Sequence, residues 1–347
     1  MDATLSESEE LLRETARRLG SDLACGSVAE YADFDDTKAW RSLADMGLLG
    51  IRLPDEVGGG DGSTLDQSLV VEALAFHSVA VPFLGSAALA SELLLAAGAS
   101  QETLSRLASG ELRVALGLTD DLSSIWREGA SKNAVAFDSA GAQAALVFDS
   151  SDAGVTLRSV ALGEPLPGLD LTRRSHRVNC ETVVDVGDLG GVIDADTYER
   201  TIARCLTLVA WDLVGVMDAG IATAVEYAKS REQFGVAIAT FQAVQHICAD
   251  QLVSLEGARS MAEYAAWAVD ECDTADALLA ARSAKAFASR EGRAVTEAVV
   301  QVHGGMGFTW DCPAHVFLKR ALSDALLFGD APRQINEIAQ LRSRSRA

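Results

Sequence analysis

Apolar residues recur at steps of three and four near the start of the chain, as in Leu11, Leu12, Ala16 and Leu19. They do so again past its middle, as in Leu206, Val209, Leu213, Val216, Ala219 and Ala222. This period of 3.6 residues predicts amphipathic helices at both ends of the chain. Helix is expected over most of Ser6 to Leu107, where Trp40 to Gly50 is a short amphipathic helix stopped by glycine and Leu53 to Gly62 is loop. Between about Leu112 and Val192 the pattern changes to short β-prone runs, Val114–Leu118, Ala134–Phe137, Ala144–Phe148 and Val155–Val160, separated by Gly, Ser and Asp turns. From Thr197 the helical period returns. One helix leads into Arg231, two long stretches cover Phe241–Val269 and Thr274–Val302, a break follows at Gly304-Gly305, and a last helix is expected near His315–Leu327.

The fold class is therefore α+β, with an N-terminal helical domain over 1–111, a small central β domain over 112–195 and a C-terminal helical bundle over 196–347. At 347 residues and 49% hydrophobic content the chain can bury a substantial core. Its formal net charge of −21 argues against a nucleic-acid partner, because phosphate backbones would be repelled over most of the surface. The six cysteines, Cys25, Cys180, Cys205, Cys248, Cys272 and Cys312, form no C-x-x-C pair, so neither a zinc site nor a disulfide framework is indicated. The acidic start, Met1 to Glu7, has none of the basic and apolar regions of a signal peptide, and the apolar run Ala87–Ala97 is too short to span a bilayer. A cytoplasmic protein without a membrane partner is expected.

Two segments carry candidate chemistry. In the first, Arg231-Glu232-Gln233-Phe234-Gly235 follows a long helix and precedes Phe241-Gln242-Ala243-Val244-Gln245-His246. A lone arginine at a helix end is ordinarily a solvated cap, but its planar fork of donors also suits a pyrophosphate. In the second, Gln301-Val302-His303-Gly304-Gly305-Met306-Gly307-Phe308-Thr309-Trp310, the glycines serve either as a helix C-cap or to let a ligand approach the backbone. His303, without a visible partner, reads as a packed or hydrogen-bonded residue rather than a catalyst.

Together these segments resemble the FAD-binding signatures of the acyl-CoA dehydrogenase family. The Trp40–Gly62 region is similar to that family's N-terminal W-x-x-L-A-x-x-G-L-L-G motif, so the resemblance covers nearly the whole chain. It implies the acyl-CoA dehydrogenase-like fold, with its central β domain and C-terminal four-helix bundle, and α,β-dehydrogenation of an acyl-CoA thioester. It also implies FAD held by Arg231, Gln233, Phe234, Phe241, Gln242, Gln301, Gly304 and Gly305, with electron-transfer flavoprotein as acceptor.

The resemblance fails where catalysis needs it. Dehydrogenation of a thioester requires a carboxylate to take the α proton. Ungapped counting places the family's Glu-Gly-Thr at Phe328-Gly329-Asp330, and the alternative base position at Cys205; Glu199 lies too far up the helix. Asp330 is the nearest acid and the candidate catalytic residue, although an N-cap for the final helix is its alternative role. The flavin-ring motifs of the β domain are also altered, since Thr119-Asp120 runs into Asp121-Leu122-Ser123-Ser124-Ile125-Trp126 with no Pro or Gly-Ser. Gly168 to Arg173 does resemble the family. In this family FAD lies across a subunit interface, and the chain keeps the part given to a neighbour while lacking the part used for itself. That combination resembles the non-catalytic subunit of α2β2 heterotetrameric acyl-CoA dehydrogenases acting on bulky lipids such as steroid side-chain thioesters. A homologous subunit would supply the catalytic Glu. Two alternatives stand beside it: a self-sufficient homotetramer using Asp330, and a flavin-free helical scaffold.

Overall fold

The first helix, α1 (Glu7–Leu23), begins at a reciprocal cap in which the Ser6 hydroxyl accepts the Glu9 N–H and the Glu9 carboxylate accepts the Ser6 N–H. The structure, a computed structural model, describes residues 4–131 and 133–344; Met1 to Ala3 of the acidic N-terminal stretch lie outside it. Helix α2 (Thr37–Asp45) ends before Gly47, which takes φ 71°. α3 (Thr64–Phe76) is buried around nearly its whole circumference, and a π-helical turn (Phe83–Ala90) runs into α4 (Ser91–Ala97), followed by α5 (Gln101–Ala108). The glycine-rich loop after α2 is tightly folded rather than open. A Cβ on Gly59 would lie 2.0 Å from the Leu53 carbonyl oxygen, so close backbone packing accounts for a glycine there.

Five strands close a small barrel: β1 (Val114–Thr119), β2 (Ala134–Phe137), β3 (Ala144–Ser151), β4 (Gly154–Leu166) and β5 (Ser175–Val183), in the order β1-β2-β5-β4-β3. Closure is made by a parallel pairing of β1 with β3, Val114 opposite Ala144, which leaves no free sheet edge. The interior is narrow, and small residues dominate it: Ala115, Ala134, Ala136 and Ala145, with Trp126, Val147, Val160 and Val178. β5 is absent from the expected strands because its sequence, SHRVNCETV, is mostly solvent-facing and carries little apolar signal.

The C-terminal bundle consists of α6 (Ala195–Ser230), α7 (Gln242–Glu271), α8 (Thr274–His303), α9 (Ala314–Leu326) and α10 (Ala331–Arg344), with α8 packed against all four others. On α6 the face Leu206, Val209, Leu213, Val216 and Ala219 is buried as its spacing requires, whereas Ala222 is exposed because the buried face continues through Gly220, Ala224 and Ala228 instead. α6 is long and apolar enough to cross a membrane, but most of that apolar surface is buried inside this fold, which marks it as a core helix.

Barrel and bundle are joined by a buried charge cluster. The Arg173 guanidinium, between β4 and β5, pairs with Asp324 of α9 and with Asp212 of α6 at 2.9 Å, and lies 5.0 Å from the centre of the Phe137 ring. Arg320 of α9 makes a two-pronged pair with Asp212 at 2.7 and 3.0 Å and donates to the Thr172 hydroxyl. Burial opposes ionisation of Asp212, yet Arg173 and Arg320 overcome it and hold that carboxyl well below the usual carboxylate range. Burial, with the Asp212 charge beside it, drives Asp324 the other way, toward holding a proton.

Candidate functional site

The two signature segments meet at one end of the bundle. Tyr227, one turn before the end of α6, accepts the Arg231 N–H on its carbonyl and stacks its ring on His303 with centroids 4.5 Å apart. His303 is buried, with Nδ1 2.8 Å from the Val299 carbonyl oxygen. This stack joins the end of α6, just before Arg231, to the end of α8, which carries Gln301 and is followed by Gly304 and Gly305. After Arg231 the chain turns through a two-stranded hairpin, β6 (Glu232–Gln233) and β7 (Val236–Ala237). Phe234 and Gly235 form its tip at φ 56° and 81°, and Phe234 is 93% exposed. Phe241 and Gln242, at the start of α7, are exposed, and the Phe234 and Phe241 rings meet edge to face at 6.2 Å.

These residues present a surface that the chain does not itself complete. Among the described residues the Arg231 guanidinium makes no ion pair or side-chain hydrogen bond, and the Gln233 side chain bonds only to the adjacent Glu232 carbonyl. Met306, Phe308 and Trp310 add exposed apolar area just beyond Gly305. A Cβ at Gly305 would meet nothing within 4 Å, so packing within this chain does not call for glycine there. A free guanidinium, exposed aromatic rings and bare backbone fit a phosphate-linked aromatic group approaching from outside, as the adenine-pyrophosphate end of FAD would.

The second feature lies at the other end of α6, where barrel and bundle enclose a crevice of about 510 Å³. Its walls are Ser123–Ile125 and Arg127 after β1, Phe148 of β3, Val155 of β4, Ile193 to Ile202 at the start of α6, Arg282 of α8, Phe328, and Arg333 and Glu337 of α10. Phe328, at the ungapped base position, is buried against it at φ 56°; its N–H donates to the Leu122 carbonyl at 2.9 Å, and Leu122 is itself at φ 59°. Two non-glycine residues in the left-handed region on one hydrogen bond are a strained pair, costing on the order of 1–3 kcal/mol each. Asp330 points elsewhere. Its carboxylate accepts the Arg333 N–H at 3.0 Å and caps α10, and Cys205 is fully buried.

The flavin-ring half does not fit. Asp121 ties its own loop shut, accepting from the Thr119 hydroxyl at 2.6 Å and from the Ser123 hydroxyl at 2.7 Å. Those bonds, the Thr119 one foremost, hold its carboxyl below the ordinary range. The indole of Trp126 turns into the barrel and donates to the Ser131 carbonyl. Sequence reasoning did not find Arg127, Tyr198, Arg282 and Arg333. They come from four separate parts of the chain with no motif around them, and only the closed barrel brings them together.

Behind the Phe328 loop, the fully buried Lys285 donates to the Ser289 hydroxyl and to the Ala325 and Gly329 carbonyls at 2.8, 3.0 and 3.2 Å. Burial lowers its pKa to about 7, against the pull of Asp324 and Asp330. A base with a depressed folded pKa contributes stability that is present above its unfolded value of 10.5 and is lost as pH falls toward 7. Asp138, raised by burial to about 6, works in the opposite sense and withdraws stability as pH rises from 3.8 to 6. We expect the stability difference between Lys285→Met and wild type to slope by a few kcal/mol between about pH 7 and 10, the variant losing ground as pH rises. Urea midpoints across that range test this, and parallel curves for the two proteins would refute it.

Family models and known relatives match most of the chain. Residues 6–111 match the family model described as acyl-CoA dehydrogenase, N-terminal domain, and residues 201–341 the one described as acyl-CoA dehydrogenase, C-terminal domain. Acyl-CoA dehydrogenase IpdE2 of Mycobacterium tuberculosis is 30% identical over 96% of each chain. Among solved structures, a steroid ACAD variant of Tcur3481-Tcur3483 superposes with a TM-score of 0.84 at 23% identity, covering 99% of each chain. The ChsE4-ChsE5 complex from Mycobacterium tuberculosis does so with a TM-score of 0.81 at 24% identity, again over 99% of each chain.

Proposed function

The chain belongs to the acyl-CoA dehydrogenase family, whose members use FAD, and we propose that it acts as the non-catalytic subunit of a hetero-oligomeric enzyme. It lends the Arg231 hairpin and the Gln301–Gly305 turn to the FAD of a homologous subunit that carries the catalytic Glu. The observation that carries this reading is the asymmetry between the two ends of α6. One end offers an unpaired guanidinium, bare glycine backbone and exposed aromatic rings. At the other, Phe328 lines the crevice at the base position, Asp330 is spent on a helix cap and the flavin-ring loop is closed by Asp121. When bound, FAD accepts the β hydrogen as hydride. Arg231 would balance pyrophosphate charge, Phe234 and Phe241 would pack against the adenine end, and Gly304 and Gly305 would let that end reach the backbone.

The substrate class follows by analogy with the steroid ACAD and with other relatives, and the resemblance points to electron-transfer flavoprotein as acceptor. A cytoplasmic location belongs to the same proposal. Purified alone, the chain should show no flavin absorbance band, whereas co-expression with a homologous Glu-bearing subunit should yield a yellow complex. Asp330→Asn should leave turnover of an acyl-CoA by that complex within about twofold, since an essential proton-abstracting carboxylate would account for about 10²–10⁴-fold. An amide still caps a helix, so folding should persist. If the single chain dehydrogenates an acyl-CoA with an artificial acceptor and Asp330→Asn abolishes that, Asp330 is the base and the partner-subunit reading is wrong.

A further inference from the structure

The ring pair at the ends of α6 and α8 joins more than two helices. On the α6 side, the Tyr227 carbonyl accepts the Arg231 N–H at 2.8 Å and the Ser230 hydroxyl at 3.1 Å. The Arg231 carbonyl in turn accepts the Ile238 N–H at 2.8 Å, so both backbone polar groups of Arg231 are held, one by the last turn of α6 and one across the base of the hairpin. On the α8 side, His303 donates from Nδ1 to the Val299 carbonyl of its own helix, which ties down the imidazole. The turn that follows folds back over it: a Cβ on Gly307 would lie 3.1 Å from the His303 Cβ and 2.9 Å from the Val300 carbonyl oxygen. Tyr227 therefore carries the Arg231 hairpin, His303 carries the Gly304–Gly307 turn, and the two rings stack with their planes 25° apart.

Holding the two helices together does not by itself call for rings at this place. Further up the same interface Gly220 lies against Val299, where an added Cβ would come within 3.1 Å of the valine side chain, and Val295 and Val299 are buried. At the helix ends an imidazole and a phenol take over, both rigid planar groups with few torsions to lose. The Tyr227 hydroxyl makes no hydrogen bond among the described residues, which leaves the face of its ring as the contact with His303. Resting on the half-site reading above, we propose that Tyr227 and His303 are positioning residues for FAD: their stack fixes the spacing between Arg231 and the Gly304–Gly305 backbone, so that one cofactor meets both. The rings act through the two segments they carry rather than on the cofactor. A half-site ordered in advance spares the ligand the cost of ordering it on binding.

The test is FAD titration of the co-expressed complex after removal of its flavin, with Tyr227→Leu, His303→Leu, the double variant and Tyr227→Phe. Each leucine variant is expected to bind FAD about three- to tenfold more weakly, the cost of ordering a loosened segment at the moment of binding. The double variant should lose no more than either single one, since the same contact is broken in all three. Tyr227→Phe keeps the ring and should match wild type. Tyr227 is only half-buried, so its variants should fold. In the full chain alone, without flavin, the Ile238 amide should exchange with deuterium faster in both leucine variants, because the hairpin base has been released. A pair that serves stability alone would lower the melting temperature of the leucine variants and leave FAD affinity per folded complex unchanged, and that result overturns the proposal. Additive losses in the double variant, or a Tyr227→Phe complex as weak as Tyr227→Leu, would overturn it too. A wild-type complex that holds no flavin refutes the half-site reading itself, and this inference with it, so the two failures are told apart.

Discussion

Replacing Arg173 with methionine should destabilise the protein by about 3–5 kcal/mol, because it strips the shared cation from a cluster that has no access to water. Arg173 is 3% exposed at its side chain, and its partners Asp212 and Asp324 are 1% and 0% exposed. Methionine matches the length of the arginine stem but leaves Asp212 with Arg320 alone and crowds two carboxyls together without their common partner. The loss should also weaken the hold of the barrel on the bundle, since this cluster ties the β4–β5 connection to α6 and α9. Urea or thermal unfolding of the full chain measures the effect. Arg290→Ala, at a side chain 65% exposed, serves as a control expected to stay within about 0.5 kcal/mol. A melting transition for Arg173→Met that coincides with wild type would mean the cluster does not fasten the two halves.

The second large effect is on cofactor retention rather than folding. Arg231→Ala should weaken FAD binding in the assembled complex by about 10- to 100-fold, corresponding to a charge-assisted contact of about 1.5–3 kcal/mol. Because the guanidinium makes no ion pair or side-chain hydrogen bond among the described residues, the isolated variant should melt at the wild-type temperature. Arg259→Ala reverses this signature. Arg259 pairs with the buried Glu72 at 2.8 Å and with Asp218 at 3.3 Å, so its removal should lower stability while leaving flavin content per folded complex unchanged. Wild-type flavin content in a folded Arg231→Ala complex would remove Arg231 from the site.

What the chain disclosed in advance follows from how locally each feature is encoded. The helices were legible because burial on one face imposes a period of three to four, which is why α7 and α8 lie within a few residues of their expected bounds. β5 was hidden because only Val178 of this strand is buried, so its sequence carries little apolar alternation. The Arg231 and Gln301–Gly305 segments were legible as contiguous motifs, and the structure adds the Tyr227–His303 stack that joins them. The crevice was not legible. Arg127 and Arg282 are far apart in sequence and become neighbours only after the barrel closes on the bundle. The charge cluster escaped for the same reason, since its members Asp212, Arg173, Arg320 and Asp324 come from separate parts of the chain.

Helix α6 has a consequence for how such a chain changes over generations. Its 36 residues span about 54 Å, with Tyr198 at the crevice near one end and Arg231 just past the other. Residues that far apart, with no partner in common, contribute additively, so a substitution at one end carries no penalty at the other. Selection can therefore keep the Arg231 end sharp while the crevice drifts. After gene duplication, two copies of such a scaffold are free to divide labour, one refining chemistry and the other its service to a neighbour, without passing through an unfolded or inactive ancestor.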